Sequence, residues 1–322
     1  MRREHLKSFL AVATFAGILG VSSTASAFCR TGTGGPVDGC TITPDECCMS
    51  GLPLYWKNAC VGYDIQQGAS KQVSYDDAAQ AIAAAFTKWT GATCGTDGSG
   101  NSRASIDVRD LGPVQCNQVQ YNKEGPNQHV IIFDDNTWPH QDSNNTLALT
   151  TVTFDSTTGE IYDADMEINT AQQTLTVHDP IPADGYDLAS IVTHETGHFL
   201  GMAHSGDTAA TMYAHYRQGA TSMRNLTQDD VQGICSIYSP DGNRNIDGGT
   251  VAEDSCDPTP RHGFQSACAS GQSGGCSIAR MQRPDSSPDS SPGSSSGSSS
   301  AFSALSLFGL FFVRRRRPRR MV

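Results

Sequence analysis

From Leu52 to Ser239 the chain alternates between two hydrophobic periods, two residues and three to four residues. "LYWKNACVGYDI" carries aromatic and β-branched residues in near alternation and predicts a strand at Val61–Ile65. "SYDDAAQAIAAAFTKW" has the helical period. Ser74 is its expected N-cap, Asp77 stands three residues on as in a capping box, and Ala79, Ile82, Phe86 and Trp89 fall on one face. Strands are expected at Ser105–Arg109, His129–Asp135, Thr146–Phe154 and Glu160–Asn169, the last two joined by an "STTG" turn. A second helix begins near Asp187, with Leu188, Ile191, Val192 and Phe199 on its buried side. A third follows in "LTQDDVQGICSIY", with Thr227 as N-cap, Asp230 completing a capping box, and Leu226 and Val231 placed as a hydrophobic staple.

Outside that unit the pattern lapses. Residues 1–27 hold a basic start (Arg2, Arg3, Lys7), an uncharged apolar run at Phe9–Val21, and the small-x-small site Ala25-Ser26-Ala27, which makes Phe28 the expected first residue of an exported chain. The run is too short for a membrane anchor. "RREHLK" also resembles a twin-arginine signal, so the export route stays open. Residues 28–51 form a Cys/Gly-rich extension, 240–280 a Cys-containing segment without periodicity, and 281–300 a Ser/Pro/Gly linker. Residues 301–322 end in thirteen apolar or small residues followed by "RRRRPRR". Thirteen helical residues span about 20 Å, short of the roughly 30 Å hydrocarbon core. The arginines behind them would fit a cytoplasmic stop. This tail resembles the C-terminal sorting signals of myxobacterial surface proteins, which implies the surface of a Gram-negative cell; a disordered basic tail is the other reading.

Composition sharpens the picture in two ways. The net charge is −11, yet both ends are basic, so the stretch between them is strongly acidic. That excludes nucleic acid as a partner class. All eleven cysteines follow Ala27, which implies a disulfide framework in an oxidising compartment, with one cysteine left over and no connectivity readable.

The chemistry concentrates in "VTHETGHFLGMAHS", Val192–Ser205. His194 and His198, four apart on a helix, point the same way, and Gly201 permits the turn that returns His204 as a third imidazole. Three neutral imidazoles with one position open suit a catalytic Zn²⁺. Glu195 sits about 100° round the helix from His194, beside the ion without competing for it, as a general base should.

"HETGHFLGMAH" resembles the metzincin signature H-E-x-x-H-x-x-G-x-x-H, and Ser205 directly after it resembles the matrixin branch. Met212 in "ATMYAHY" is similar to the Met-turn of that family, the apolar floor under the metal, and "LTQDDVQGICSIY" is similar to its final helix. The resemblance implies an α+β fold, a twisted mixed sheet with long helices. It implies a zinc metalloendopeptidase acting on a protein or peptide, with one zinc. It places Leu147, Ala148, Leu149 and Thr150 on an edge strand above the zinc, where an extended substrate would pair by strand addition. Asp163, Asp165 and Glu167, alternating on one strand face, resemble the family's Ca²⁺-binding stretch; a solvated strand face is the alternative. The chain departs from the family at Ala214, where a proline is usual, and no latency cysteine motif is present. Threonine in "LALTT" stands where a structural-zinc histidine is expected, and His140 and Asp142 read as surface residues. His215 is not needed as a ligand, and Cys29 is read as a disulfide partner rather than a zinc contact. A reading from a different class is a surface binding or adhesion protein on the same scaffold, without turnover.

Overall fold

The computed structural model describes residues 27–43, 46–95, 102–240, 245–246, 249–250 and 256–268. Nearly all of the expected signal peptide, the 281–300 linker, the 301–322 tail and Cys276 lie outside the described residues. The principal elements are, in chain order, β1 (Cys29–Arg30), β2 (Tyr55–Trp56), β3 (Cys60–Gln66), α1 (Tyr75–Thr90), β4 (Asp107–Val114), β5 (Val130–Phe133), β6 (Ala148–Phe154), β7 (Glu160–Ile168), α2 (Leu188–Phe199), β8 (Met202–Ala203) and α3 (Gln228–Ile237).

Six of these strands make one mixed sheet. β4, β3, β5 and β7 lie side by side in parallel, β2 extends the β5 side of β7 at Glu160–Ile161, and β6 runs antiparallel to β7 as an edge strand. The sheet face carrying Val61, Tyr63, Ile65, Ile131, Phe133, Ala164, Met166 and Ile168 packs against α1 and α2 in one apolar core. The 16-residue α1 buries Ala78, Ile82, Ala85, Phe86 and Trp89. The stripe therefore starts one residue before the expected Ala79, which is only half-buried, because 78, 82, 85 and 89 follow the helical repeat more closely. Ser74 caps α1 through the Asp77 amide as expected. Every residue expected on the buried side of α2 is buried there.

The strand expected from His129 begins one residue later, at Val130, and two others begin two residues later than their patterns predict, for local reasons. The Ser105 amide donates to Tyr238 O, so the ladder of β4 starts at Asp107. The amide and hydroxyl of Thr146 both donate to Asp142 O, which delays β6 to Ala148.

The second sheet face carries Asp64, Val130, Ile132, Asp163, Asp165 and Glu167 and is covered rather than solvated. Loop residues 115–128 lie over it, and residues 256–268 lie against that loop: Gln115 N donates to Ser266 O, and Asn127 Nδ2 donates to Arg261 O at 2.8 Å. Disulfides Cys60–Cys256 and Cys116–Cys268 fasten this segment. Cys94–Cys235 ties the end of α1 to α3, and Cys29–Cys47 and Cys40–Cys48 close the N-terminal extension on itself. Ten of the eleven cysteines are thus paired, Cys29 among them as expected.

Candidate active site

The active-site helix α2 is held at both ends. Asp187 accepts the Ser190 amide at 3.0 Å as N-cap, and Arg224 grips the same carboxylate with Nε and Nη2 at 2.8 and 3.0 Å. At the other end, Trp56 Nε1 donates to Phe199 O and Tyr238 OH to Leu200 O, satisfying carbonyls that a helix leaves open. Gly201 then turns the chain at φ +95°, a conformation suited to glycine, and a side chain there would also strike Leu54 O.

This turn brings His204 back to His194 and His198. Their Nε2 atoms lie 3.1 Å apart from His194 to His198 and 3.3 Å from His198 to His204. Among the described residues this is the one cluster of three or more His, Cys, Asp or Glu ligand atoms of metal-binding size. Two rings have fixed tautomers. His194 Nδ1 donates to Thr211 O at 2.6 Å and His198 Nδ1 to Met202 O at 2.9 Å. A carbonyl can only accept, so Nδ1 carries the hydrogen and Nε2 turns a bare lone pair inward. Burial first, then the neighbouring imidazoles, holds His194 and His204 well below the usual imidazole range, and burial lowers His198 to about 4. Neutral rings with converging lone pairs are a donor set for a cation, and three imidazole nitrogens fit Zn²⁺.

Glu195 is fully buried beside them. Its Oε2 accepts from Thr150 Oγ1 at 2.7 Å, while Oε1 has no hydrogen-bond partner among the described residues. Burial pushes the carboxyl up to about 8, against the opposing pull of the Thr150 hydrogen bond. A buried carboxylate with one open oxygen next to a metal-type cluster is a proton acceptor waiting for a solvent or substrate partner.

Met212 is fully buried and lies on Gly197: a side chain built at Gly197 would meet Met212 Sδ and Trp89. Asp230 of α3 fixes this stretch, accepting the Thr211 amide at 2.8 Å and the Met212 amide at 3.0 Å, besides completing its capping box with Thr227. The capping spacing predicts only the first of these uses of Asp230; the second links α3 to the carbonyl that orients His194, and the spacing gives no signal of it. Thr150 belongs to the expected edge strand, and its hydroxyl contact with Glu195, 45 residues on, leaves no signal in the local pattern.

The remaining expectations fare unevenly. Leu147–Thr150 does lie at the sheet edge, buried, with Thr150 reaching α2. Asp163, Asp165 and Glu167 share a face but do not gather into a metal-sized cluster. Asp165 accepts the Val130 and Gln120 amides, Glu167 takes His140 Nε2 at 2.6 Å, and Asp163 lies 3.8 Å from His129. His140 is accordingly no simple surface residue: the loop before β6 folds it onto Glu167. His215 is exposed, its ring against Tyr213 and outside the triad.

Comparison with known proteins places this geometry. Residues 55–239 match the family model of peptidase M10, Matrixin. The chain is 42% identical over 74 residues to neutrophil collagenase of Homo sapiens, covering 23% of this chain and 16% of that protein. It is 44% identical over 69 residues to metalloendoproteinase 1-MMP of Arabidopsis thaliana, covering 21% and 19%. It is 42% identical over 57 residues to matrix metalloproteinase-20 of Homo sapiens, covering 18% and 12%. The matched stretches span less than a fifth of each of these relatives.

Proposed function

The chain belongs to the matrixin family, and on that premise we propose that it is an exported zinc metalloendopeptidase that hydrolyses internal peptide bonds of a protein or peptide substrate. One observation carries the reading: three imidazole Nε2 atoms converge beside a buried glutamate whose Oε1 has no partner among the described residues.

His194, His198 and His204 would hold a single zinc. Bound there, zinc lowers the pKa of a water to about 7 and polarises the scissile carbonyl. The chain's own residues do the rest. Glu195, with Oε1 facing no protein donor among the described residues, accepts the water's proton at that oxygen. It then delivers the proton to the departing amine. Thr150 keeps Oε2 occupied, so that Oε1 is the oxygen that turns over the proton. Met212 lies beneath as an apolar floor, fixed by Asp230. The edge of β6 beginning at Leu147–Thr150 gives an extended substrate a strand to pair with. The paired cysteines support an oxidising, extracellular destination. Calcium is no part of the proposal, since Asp165 and Glu167 already serve protein partners.

The test is a diverse peptide pool incubated with the zinc-loaded protein and read by mass spectrometry. Products from internal amide cleavage support the proposal; intact peptides overturn it.

A further inference from the structure

The residues just before the matched domain reach the zinc-type site from behind. β1 pairs antiparallel with β8, Cys29 opposite Ala203 and Arg30 opposite Met202. The next residue, Thr31, is buried and grips the turn that carries His204. Its amide donates to Gly201 O and its Oγ1 to Met202 O, each at 2.9 Å. Its carbonyl accepts the Leu54 amide at 2.8 Å, tying the strap to the domain. The Cys29–Cys47 disulfide anchors the strap in the N-terminal extension.

Met202 O is the junction. It takes the Thr31 hydroxyl on one side and His198 Nδ1–H, at 2.9 Å, on the other. A carbonyl oxygen has two lone pairs, and both are used. A peptide plane fixed from two sides fixes in turn the ring it orients, and partners of metal-binding histidines set metal affinity.

From this geometry we infer that Thr31, outside the matched residues 55–239, is a positioning residue of the metal site: the N-terminal strap orients His198 through Met202 O. The inference rests on the zinc reading of the triad. The strap is thereby an integral part of the site, and its Cys-rich extension serves the chemistry as well as stability.

The experiment uses the full chain in four forms: parent, Thr31→Val, Thr31→Ser and Thr33→Val. Thr33 lies on the same strap, but its hydroxyl accepts the Leu52 amide and does not touch Met202. Zinc affinity is measured by competition with a chromogenic chelator, and thermal unfolding of each zinc-free form is recorded beside it. Removing a partner of a metal-binding histidine typically costs 10–100-fold in affinity. Thr31 acts one bond further out, so Thr31→Val is expected to loosen zinc by about three- to tenfold. Thr31→Ser and Thr33→Val should bind as the parent does. Parent-like affinity in Thr31→Val overturns the inference, even if its melting temperature falls, and so does an equal loss in Thr33→Val. A parent that binds no zinc overturns the zinc reading itself, and the inference with it.

Discussion

Gly197 offers the sharpest test of how α2 packs against Met212 and Trp89. A Cβ built on it would stand 2.8 Å from Trp89 Cζ2 and closer still to Met212 Sδ. Trp89 cannot yield, because it is fully buried and its Nε1 donates to Thr193 O at 2.8 Å. Met212 must move, by about 1–2 Å to restore a contact of about 3.5–4.0 Å. Two effects compete in Gly197→Ala. Replacing a mid-helix glycine gains about 1 kcal/mol. Overpacking a filled core costs about 1–3 kcal/mol. Met212 is fully buried and its backbone is clamped by Asp230, so the cost should win by about 1–2 kcal/mol. For a domain of this size that is a fall in Tm of about 2–8 °C. kcat/KM should fall by about tenfold or more, because the displaced side chain packs on the helix turn between His194 and His198. Adding Met212→Ala should relieve the closer of the two contacts, so that the double variant is more stable than the sum of the two single changes predicts, by about 1 kcal/mol. Calorimetry and peptide-cleavage kinetics on the four proteins decide it. A Gly197→Ala protein that melts higher than the parent with unchanged kcat/KM would refute the packing argument.

Two further predictions concern stability. Asp64 is buried, its Oδ2 accepts the His129 amide, its Oδ1 has no partner among the described residues, and burial above all raises it to about 7. Between its unfolded value of about 4 and 7, the folded state holds a proton that the unfolded state has lost. Its favourable contribution is therefore whole below about pH 4 and is lost as pH rises to 7. Asp64→Asn should grow steadily more stable than the parent from pH 4 to 7 and hold a constant lead above; parallel melting curves across that range would contradict this. Arg224→Met strips the two-pronged partner from buried Asp187 and should cost about 2 kcal/mol, with Arg224→Lys failing to restore it because an ammonium cannot fork. An unchanged Tm in Arg224→Met would contradict that.

Local signals in the chain are legible wherever period and cap agree. Ser74, Asp187 and Thr227 each accept the amide three residues on, at or within a residue of where the pattern placed the helix starts. The triad was legible because a helix repeat and one glycine confine three histidines to one point. What stayed hidden is set by long-range contacts. Asp163 and Asp165 alternate like a strand face in water, yet a loop and a disulfide-fastened segment bury that face. Neither the strap from Cys29 to Thr31 nor the second duty of Asp230 leaves a mark in local spacing, since each depends on a partner far along the chain. Disulfide pairing is likewise a property of the folded path and not of the spacing.

The central claim is that Glu195 moves the proton in a zinc-dependent cleavage. The most direct measurement compares parent and Glu195→Ala at equal, measured zinc content on the same peptide pool. The account predicts that both hold one zinc, that the parent cuts internal amides, and that the variant cuts at least about a hundredfold more slowly, the low end of what a positioned general base contributes. Equal cleavage by the two proteins, or binding of peptides by both with turnover by neither, would contradict it.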